Sequence, residues 1–533
     1  MDAAALLIAD AQRAFAADAL PESAAALRRA LALQPARAEL WALLARVELQ
    51  ACALGAHDEA LDEAIRLRPD RPAWRLRRAL RCPPMMGSKA DIAQLRAEAL
   101  ERLARMEAEL RARPERLADP LAELPNLSYY LVYHGEDDRP IHEAMHRLIG
   151  GLCPQLRAVA PHTRQPAPAG ARPRVGVFSP HLKDHTIGNL FGGLWPALDP
   201  AEFVRVGVFL EESVDRRALG WAQQLDEVVL LPRALGPIHQ RVAAARLDLL
   251  LSLDVGMDPL TALLGHARLA RVQATTWGHP VTTGAPAMDL FFTMQGAVAP
   301  GEQAEFSERL VALPSPNLSF ERQAQPGPAD RAALGLPPTG RLYGCPQSAF
   351  KLHPDFDSAL FGVLDADPEG VVLLHSGGPV AWRAALTARL AAQRPELLPR
   401  IQWMAKVPKA QYLAVLRALD VMLDPFPFGG GNTTLEAIAV GTPVVTCPPP
   451  RLRGRLAACF LREIGLTEGI AEDVHDYVRK AVRLAGPGRA AHSAALLQRG
   501  ERLWAQPAFV QSFAEGLRGA LALQPVPLDG RGW

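Results

Sequence analysis

The stretch DPFPFGGGNTTLEAIAVGTPVVTCP, residues 424–448, joins a strand end, a glycine-rich turn, a helix and a second strand in one short span. The glycines at 429–431 let backbone approach a ligand closely. A helix that begins directly after them offers unpaired N–H groups to an anion. Asn432 or Thr433 is expected to cap this helix, leaving other N–H groups and the hydroxyls of Thr433 and Thr434 to meet a phosphate. Glu436 falls in the first turn, within reach of a ribose. Capping alone needs no glycine run, so Gly430 and Gly431 are read as part of a phosphate-binding turn.

Working outward, short apolar runs alternate with helical stretches on both sides of a Pro-rich segment, residues 322–340. Before it come RVGVFSP (174–180), VRVGVFL (204–210), DEVVLLP (226–232), LDLLLSLD (247–254) and VQATTWG (272–278). After it come RLYGCP (341–346), GVVLLHS (370–376), RIQWMA (400–405), DVMLDPF (420–426) and TPVVTCP (442–448). Strands separated by crossover-length segments predict parallel sheets covered by helices. Two such Rossmann-like, doubly wound α/β domains leave a cleft at the carboxyl ends of their strands.

The first part of the chain repeats. AALRRALALQP (25–35) returns as EALDEAIRLRP (59–69), a shift of 34 residues, which is the tetratricopeptide period. Pro35 and Pro69 are expected to start the next helices, and the helical pattern over 91–118 to cap the array. The expected organisation is tetratricopeptide-like helices over 1–120, connecting helices and linker over 121–170, a first Rossmann-like domain over 171–325, a second, nucleotide-binding one over 326–490, and helices packing back over 491–533.

Composition bounds the function. The chain has 533 residues, 49% hydrophobic and 22% charged, with a net charge of +1. Near-neutrality argues against nucleic acid as a partner, and no apolar run is long enough to span a membrane. Residues 1–20 lack a basic start and read as a helix and not a signal peptide. Six scattered cysteines without paired spacing fit a reducing cytoplasm. His181 and His185, four residues apart, lie in a loop pattern without a third ligand. Asp355/Asp357 and Asp365/Asp367 read as solvated acids. No metal site is expected.

PFPFGGGNTTLEAIAVGTPVVTCP resembles the nucleotide-sugar segment of the O-linked N-acetylglucosamine transferase and SPINDLY family, glycosyltransferase family 41. LSYYLVYHGEDDRPIHEAMHRLIGGLCP (127–154), RVGVFSPHLKDHTIGNL (174–190), VQATTWGHPVTTGAPAMDLFFT (272–293), CPQSAFKLHPDF (345–356) and VPKAQYLAVLRALDVMLD (407–424) resemble further family segments in the same order. The resemblance, to a bacterial-type member, implies a GT-B pair of domains behind the repeats. It implies inverting, metal-independent transfer of a sugar, foremost N-acetylglucosamine from its UDP form, to Ser or Thr of a protein held by the repeats. GDP-fucose as donor, or a scaffold without catalysis, are the alternatives. It further implies that Lys351 contacts the donor diphosphate, with Gln347 and Ser348 beside it, and that Lys409 lies near the nucleotide. His185 would stand at the anomeric centre as a candidate base. His279, Thr282, Thr283 and Gly284 would line the cleft. Tyr412 and Asn432 stand where animal members carry histidine, and Gly256–Met257 departs from the family's Gly-His/Tyr-Thr.

Overall fold

The computed structural model describes residues 3–168, 170–327, 330–504 and 506–523. Residues 524–533, the end of the region expected to form helices packing back, lie outside them. The repeat is visible as helix pairs: Leu20–Leu33 and Leu54–Leu67 stand 34 residues apart. Leu27, Ala30, Leu61 and Ala64 are buried in one small-residue seam. Pro35 and Pro69 do not start helices. They occupy turns, and the next helices begin at Ala38 and Pro72. The helix Lys89–Ala112 follows, with the Ser88 hydroxyl accepting the Asp91 N–H as its cap.

Twelve strands follow among the described residues. They are β1 Arg174–Phe178, β2 Val204–Leu210, β3 Glu227–Leu231, β4 Leu249–Ser252, β5 Val272–Thr276, β6 Leu290–Met294, β7 Arg309–Leu313, β8 Leu342–Cys345, β9 Val371–His375, β10 Ile401–Met404, β11 Val421–Leu423 and β12 Val444–Val445. The first sheet has the order β3-β2-β1-β4-β5-β6-β7 and the second β10-β9-β8-β11-β12, each wholly parallel. The order reverses between β1 and β4, and again between β8 and β11. Ligands of open α/β sheets bind beyond the strand ends at such reversals. β6 and β7 extend the first sheet beyond the five strands read from sequence.

The two α/β units share apolar packing. Leu435 and Ile438, on the helix after the glycines, are buried in the same cluster as Trp277, Phe291 and Phe292 of the first unit. The last helix, Pro507–Leu521, crosses back onto that cluster, where Phe513 meets Trp195 with ring centroids 5.2 Å apart. Between the units runs a connecting segment, residues 127–138. Tyr133 packs against Phe350 at 4.7 Å and Phe428 at 4.5 Å, both on the second unit. Asp138, 1% exposed, is held by Arg96 at 2.8 Å from the repeat side and by Arg453 at 2.7 Å from the second unit. The array itself touches the second unit: Trp382 Nε1 donates to the Gln50 carbonyl, and Arg389 to the Met86 carbonyl.

Candidate active site

Both loops at the second sheet's reversal meet around one buried carboxylate. Asp424, directly after β11, accepts the Gly430 N–H at 2.6 Å and the Thr446 hydroxyl at 2.8 Å. After β8 the chain turns through Ala349–Lys351, closed by the Lys351 N–H donating to the Ser348 carbonyl at 2.9 Å. Lys351 Nζ donates to Gln347 Oε1 at 3.0 Å and stands 5.0 Å from the centre of the Phe428 ring. Burial pulls the ammonium down to about 8, partly offset by Asp424. Burial likewise pushes the Asp424 carboxyl up to about 7, against the hydrogen bonds from Gly430 and Thr446.

Gly430 is a glycine for a steric reason. A Cβ there would lie 2.3 Å from Gln347 Nε2 and 3.2 Å from Asp424 Oδ1. The glycine turn and the lysine loop are thus fitted to each other. Two buried polar atoms of this cluster, Gln347 Nε2 and Asn432 Oδ1, have no hydrogen-bond partner, which is the signature of groups awaiting a ligand or water.

The helix Asn432–Val440 begins as expected after the glycines, but neither Asn432 nor Thr433 caps it. Gly431 occupies the cap position and no side chain satisfies the first turn. The end therefore keeps its unpaired N–H groups and positive partial charge. Thr434 departs from expectation: it is fully buried, and its hydroxyl donates back to the Gly430 carbonyl at 2.8 Å. Glu436 also departs. It is 3% exposed, and its Oε1 is taken by Asn432 Nδ2 at 2.6 Å and by Lys409 Nζ, so it sits beneath the surface of the turn. The Tyr412 phenol lies against Glu436 and Thr433. Lys409 is a half-exposed partner of Glu436, 5.7 Å from the centre of the Tyr412 ring. These residues form a second polar cluster, one helical turn from the first.

The first unit contributes from its own reversal. A Cβ on Gly431 would lie 3.7 Å from Trp277, just beyond β5, so the two units' strand ends meet at the glycines. The loop after β1 reaches the same place, because Ile187 packs against Gly278. His185 caps the helix Thr186–Phe191: its Nδ1 accepts the Ile187 N–H at 3.3 Å, and its ring stacks on His181 at 4.4 Å. Burial, helped by His181 and Lys183, lowers it to about 4. A neutral imidazole that accepts at Nδ1 carries its hydrogen on Nε2. The nitrogen left open is a donor, which departs from the expected base.

The expected cleft wall of His279, Thr282, Thr283 and Gly284 is instead a buried joint. Thr282 Oγ1 and the Thr283 N–H each donate to Glu308 at 2.8 Å, and the Thr282 carbonyl accepts from His142 Nδ1 at 2.9 Å. Gly284 has φ +67°, and a Cβ there would lie 2.6 Å from the Cβ of His142. His279 is stacked on Tyr129 and is lowered to about 3 by burial. The turn locks the first unit to the connecting helix Arg139–Leu152.

Asp424 was left without a role by the sequence, although an acid at a strand end five residues before a glycine run was a usable signal. Asp254, fully buried beyond β4, was also passed over. Burial pushes its carboxyl up to about 7, offset in part by the Ser179 hydroxyl. Among the expected solvated acids, Asp357 and Asp367 are buried, tied respectively to Arg389 at 2.8 Å and to the Tyr343 hydroxyl at 2.8 Å. Among the described residues no cluster of three His, Cys, Asp or Glu has metal-binding geometry, and no helix is long and apolar enough to cross a membrane.

Two parallel-sheet units joined at their strand ends, with an anion-ready turn on the second, define the GT-B class of fold. The whole chain superposes on a Thermobaculum terrenum O-GlcNAc transferase mutant with a TM-score of 0.70, covering 97% of both chains at 21% identity. Residues 327–506 match the model described as Glycosyl transferase family 41. A UDP-glucose:protein N-beta-glucosyltransferase of Actinobacillus pleuropneumoniae is 29% identical over 236 residues, 44% of this chain and 37% of that protein. A probable UDP-N-acetylglucosamine–peptide N-acetylglucosaminyltransferase SPINDLY of Solanum lycopersicum is 27% identical over 246 residues, 43% of this chain and 26% of that protein. The chain therefore spans well under half the length of these curated relatives.

Proposed function

We infer that the chain is a protein glycosyltransferase that moves a sugar from a uridine diphosphate donor to a polypeptide side chain, with inversion at the anomeric carbon. The observation that carries this reading is the cradle at the β8/β11 reversal. An uncapped helix end and the Lys351 ammonium converge on a turn whose glycine fits only against Gln347. Such a turn suits two linked phosphoryl groups. Uridine is favoured over guanosine because the names of both relatives carry UDP.

The acceptor attacks opposite the leaving diphosphate. Lys351 and the helix end at 432 take up the charge that develops there, in the electrostatic role that usually dominates catalysis, and no metal is required for it. The His185 ring, with hydrogen on Nε2, steadies the sugar or phosphate as a donor, and the acceptor proton passes to a donor phosphate oxygen. N-acetylglucosamine on Ser or Thr is the first reading. Glucose on a side-chain nitrogen is the second, favoured by the likeness to the Actinobacillus protein. The six free cysteines suit work in the cytoplasm.

The test incubates purified protein and a denatured lysate with UDP-N-acetylglucosamine, UDP-glucose or GDP-fucose, and follows nucleotide release and product mass. Release of UDP with a hexosamine mass increment removed by alkali supports the first reading, and an alkali-stable hexose the second. Release from none of the donors overturns both.

A further inference from the structure

Where the repeats meet the connecting segment there is a cavity of about 340 Å³, separate from the glycine turn. Arg46, Arg77 and Arg81 line it, with Met257 of the loop after β4 at its other side. That loop is joined to the connecting segment by Asn126 Nδ2, which donates to the Gly256 carbonyl at 2.6 Å, and Gly256 rests on His279. The cavity thus adjoins the first unit's reversal.

The charge in it is unbalanced. Arg81 is held by Asp58 at 3.0 Å and Glu98 at 2.8 Å, yet its Nη1, buried, has no hydrogen-bond partner. Arg46 and Arg77 make no ion pair among the described residues; Arg46 lies over the Phe15 ring at 4.8 Å. Burial and the neighbouring Arg46 depress Arg77 to about 10, so the pair repel in the absence of an anion. The remaining wall is mixed: Leu49, Leu80 and Met257 are apolar. His57 donates from Nδ1 to the Ala45 carbonyl at 2.7 Å, which leaves its buried Nε2 as an unpartnered acceptor.

We propose that this cavity binds an acidic side chain of the acceptor polypeptide, Asp or Glu, and so selects acceptors by a carboxylate near the modified residue. The guanidinium groups take the carboxylate in charge-assisted bonds. His57 Nε2 takes a backbone N–H, and the apolar wall takes the side-chain stem. An inorganic anion would leave both the acceptor nitrogen and the apolar wall unused. The volume lies at the lower end of ligand sites, which run from roughly 300 to 1,000 Å³, enough for a side chain and its flanking backbone and too small for a folded partner. The proposal rests on the transferase reading for its meaning, but its test does not.

Fluorescent serine peptides carrying one Glu, moved through the positions flanking the serine, are each compared with a Gln twin by anisotropy, without donor. At one register the Glu peptide binds about tenfold more tightly, the order expected for a hydrogen bond to a charged group. Arg77→Gln removes that difference without weakening the Gln twin, and Arg77→Glu prefers a Lys peptide. Arg46→Gln gives an independent loss of charge should the Arg77 variants melt early. Twins that bind alike at every register, or variants that weaken both twins equally, overturn the proposal. UDP binding, read separately by thermal shift, stays unchanged in all variants. Failure of sugar transfer with the Glu preference intact would sink the transferase reading and leave this site standing.

Discussion

At neutral pH Lys351 lies close to its titration, because burial has brought it down to about 8. Only the ammonium can hold a diphosphate, so kcat/KM for the donor is expected to fall as pH rises through about 8, and a pH–rate profile measures this. Lys351→Ala should lower kcat by about a hundredfold or more, the scale of losing one electrostatic stabiliser, while thermal melting stays level or rises, since a half-buried charge has been removed. His185 makes the opposite kind of case. Its open nitrogen is a donor, so His185→Gln, which keeps an N–H, should retain about tenfold more activity than His185→Ala. Equal losses in steady-state assays would restore the base role. At this scale the sequence was legible where a residue type has one use: a glycine run, or a lysine at a strand end. It was not legible where a hydroxyl or carboxylate could turn either way. Thr434 and Glu436 have the right chemistry for a donor, but packing directed them to Gly430, Asn432 and Lys409.

Among elements, the glycine turn depends on the loop from the neighbouring strand. Gly430→Ala should displace the Gln347 amide, 2.3 Å from the new methyl group, and release Lys351 from its 3.0 Å bond. The expected result is about a tenfold weaker affinity for UDP by calorimetry, with little change in melting, because the far end of a side chain yields more readily than backbone. Strands were readable from sequence when their apolar runs were bounded by turn residues. β2 spans Val204–Leu210, the full run read in advance. β7, Arg309–Leu313, opens on a charged residue directly after Glu308 and is only partly buried, and it escaped notice. The helix cap was misjudged because a side-chain cap is a preference and not a requirement, and this end, with Gly431 at the cap position, has none.

Across the whole molecule, Asp138 ties three regions together through Arg96 and Arg453. Removing one member of a buried ionic group strands the others. Asp138→Ala should therefore cost about 3–5 kcal/mol in denaturant unfolding, with Asp138→Asn intermediate. The linker over 164–174, rich in proline and alanine, marks a boundary in composition only. The packing boundary is elsewhere, since residues 127–152 interlock with Thr282, Phe350 and Phe428. That joint could not be read from local pattern, because its contacts bridge residues more than a hundred positions apart.

Tyr129, Tyr130 and Tyr133 form a wedge against Phe350, at 5.9, 5.6 and 4.7 Å between ring centres, and it matters to anyone recombining this chain with its relatives. A chimera spliced at the linker over 164–174 would graft foreign tyrosine positions onto Phe350 and Phe428, beside Lys351, and would perturb that loop along with the helical repeats it set out to exchange. Splicing ahead of residue 120 keeps the wedge with the α/β half that it fits, so the repeats can be exchanged without disturbing the glycine turn and the lysine loop.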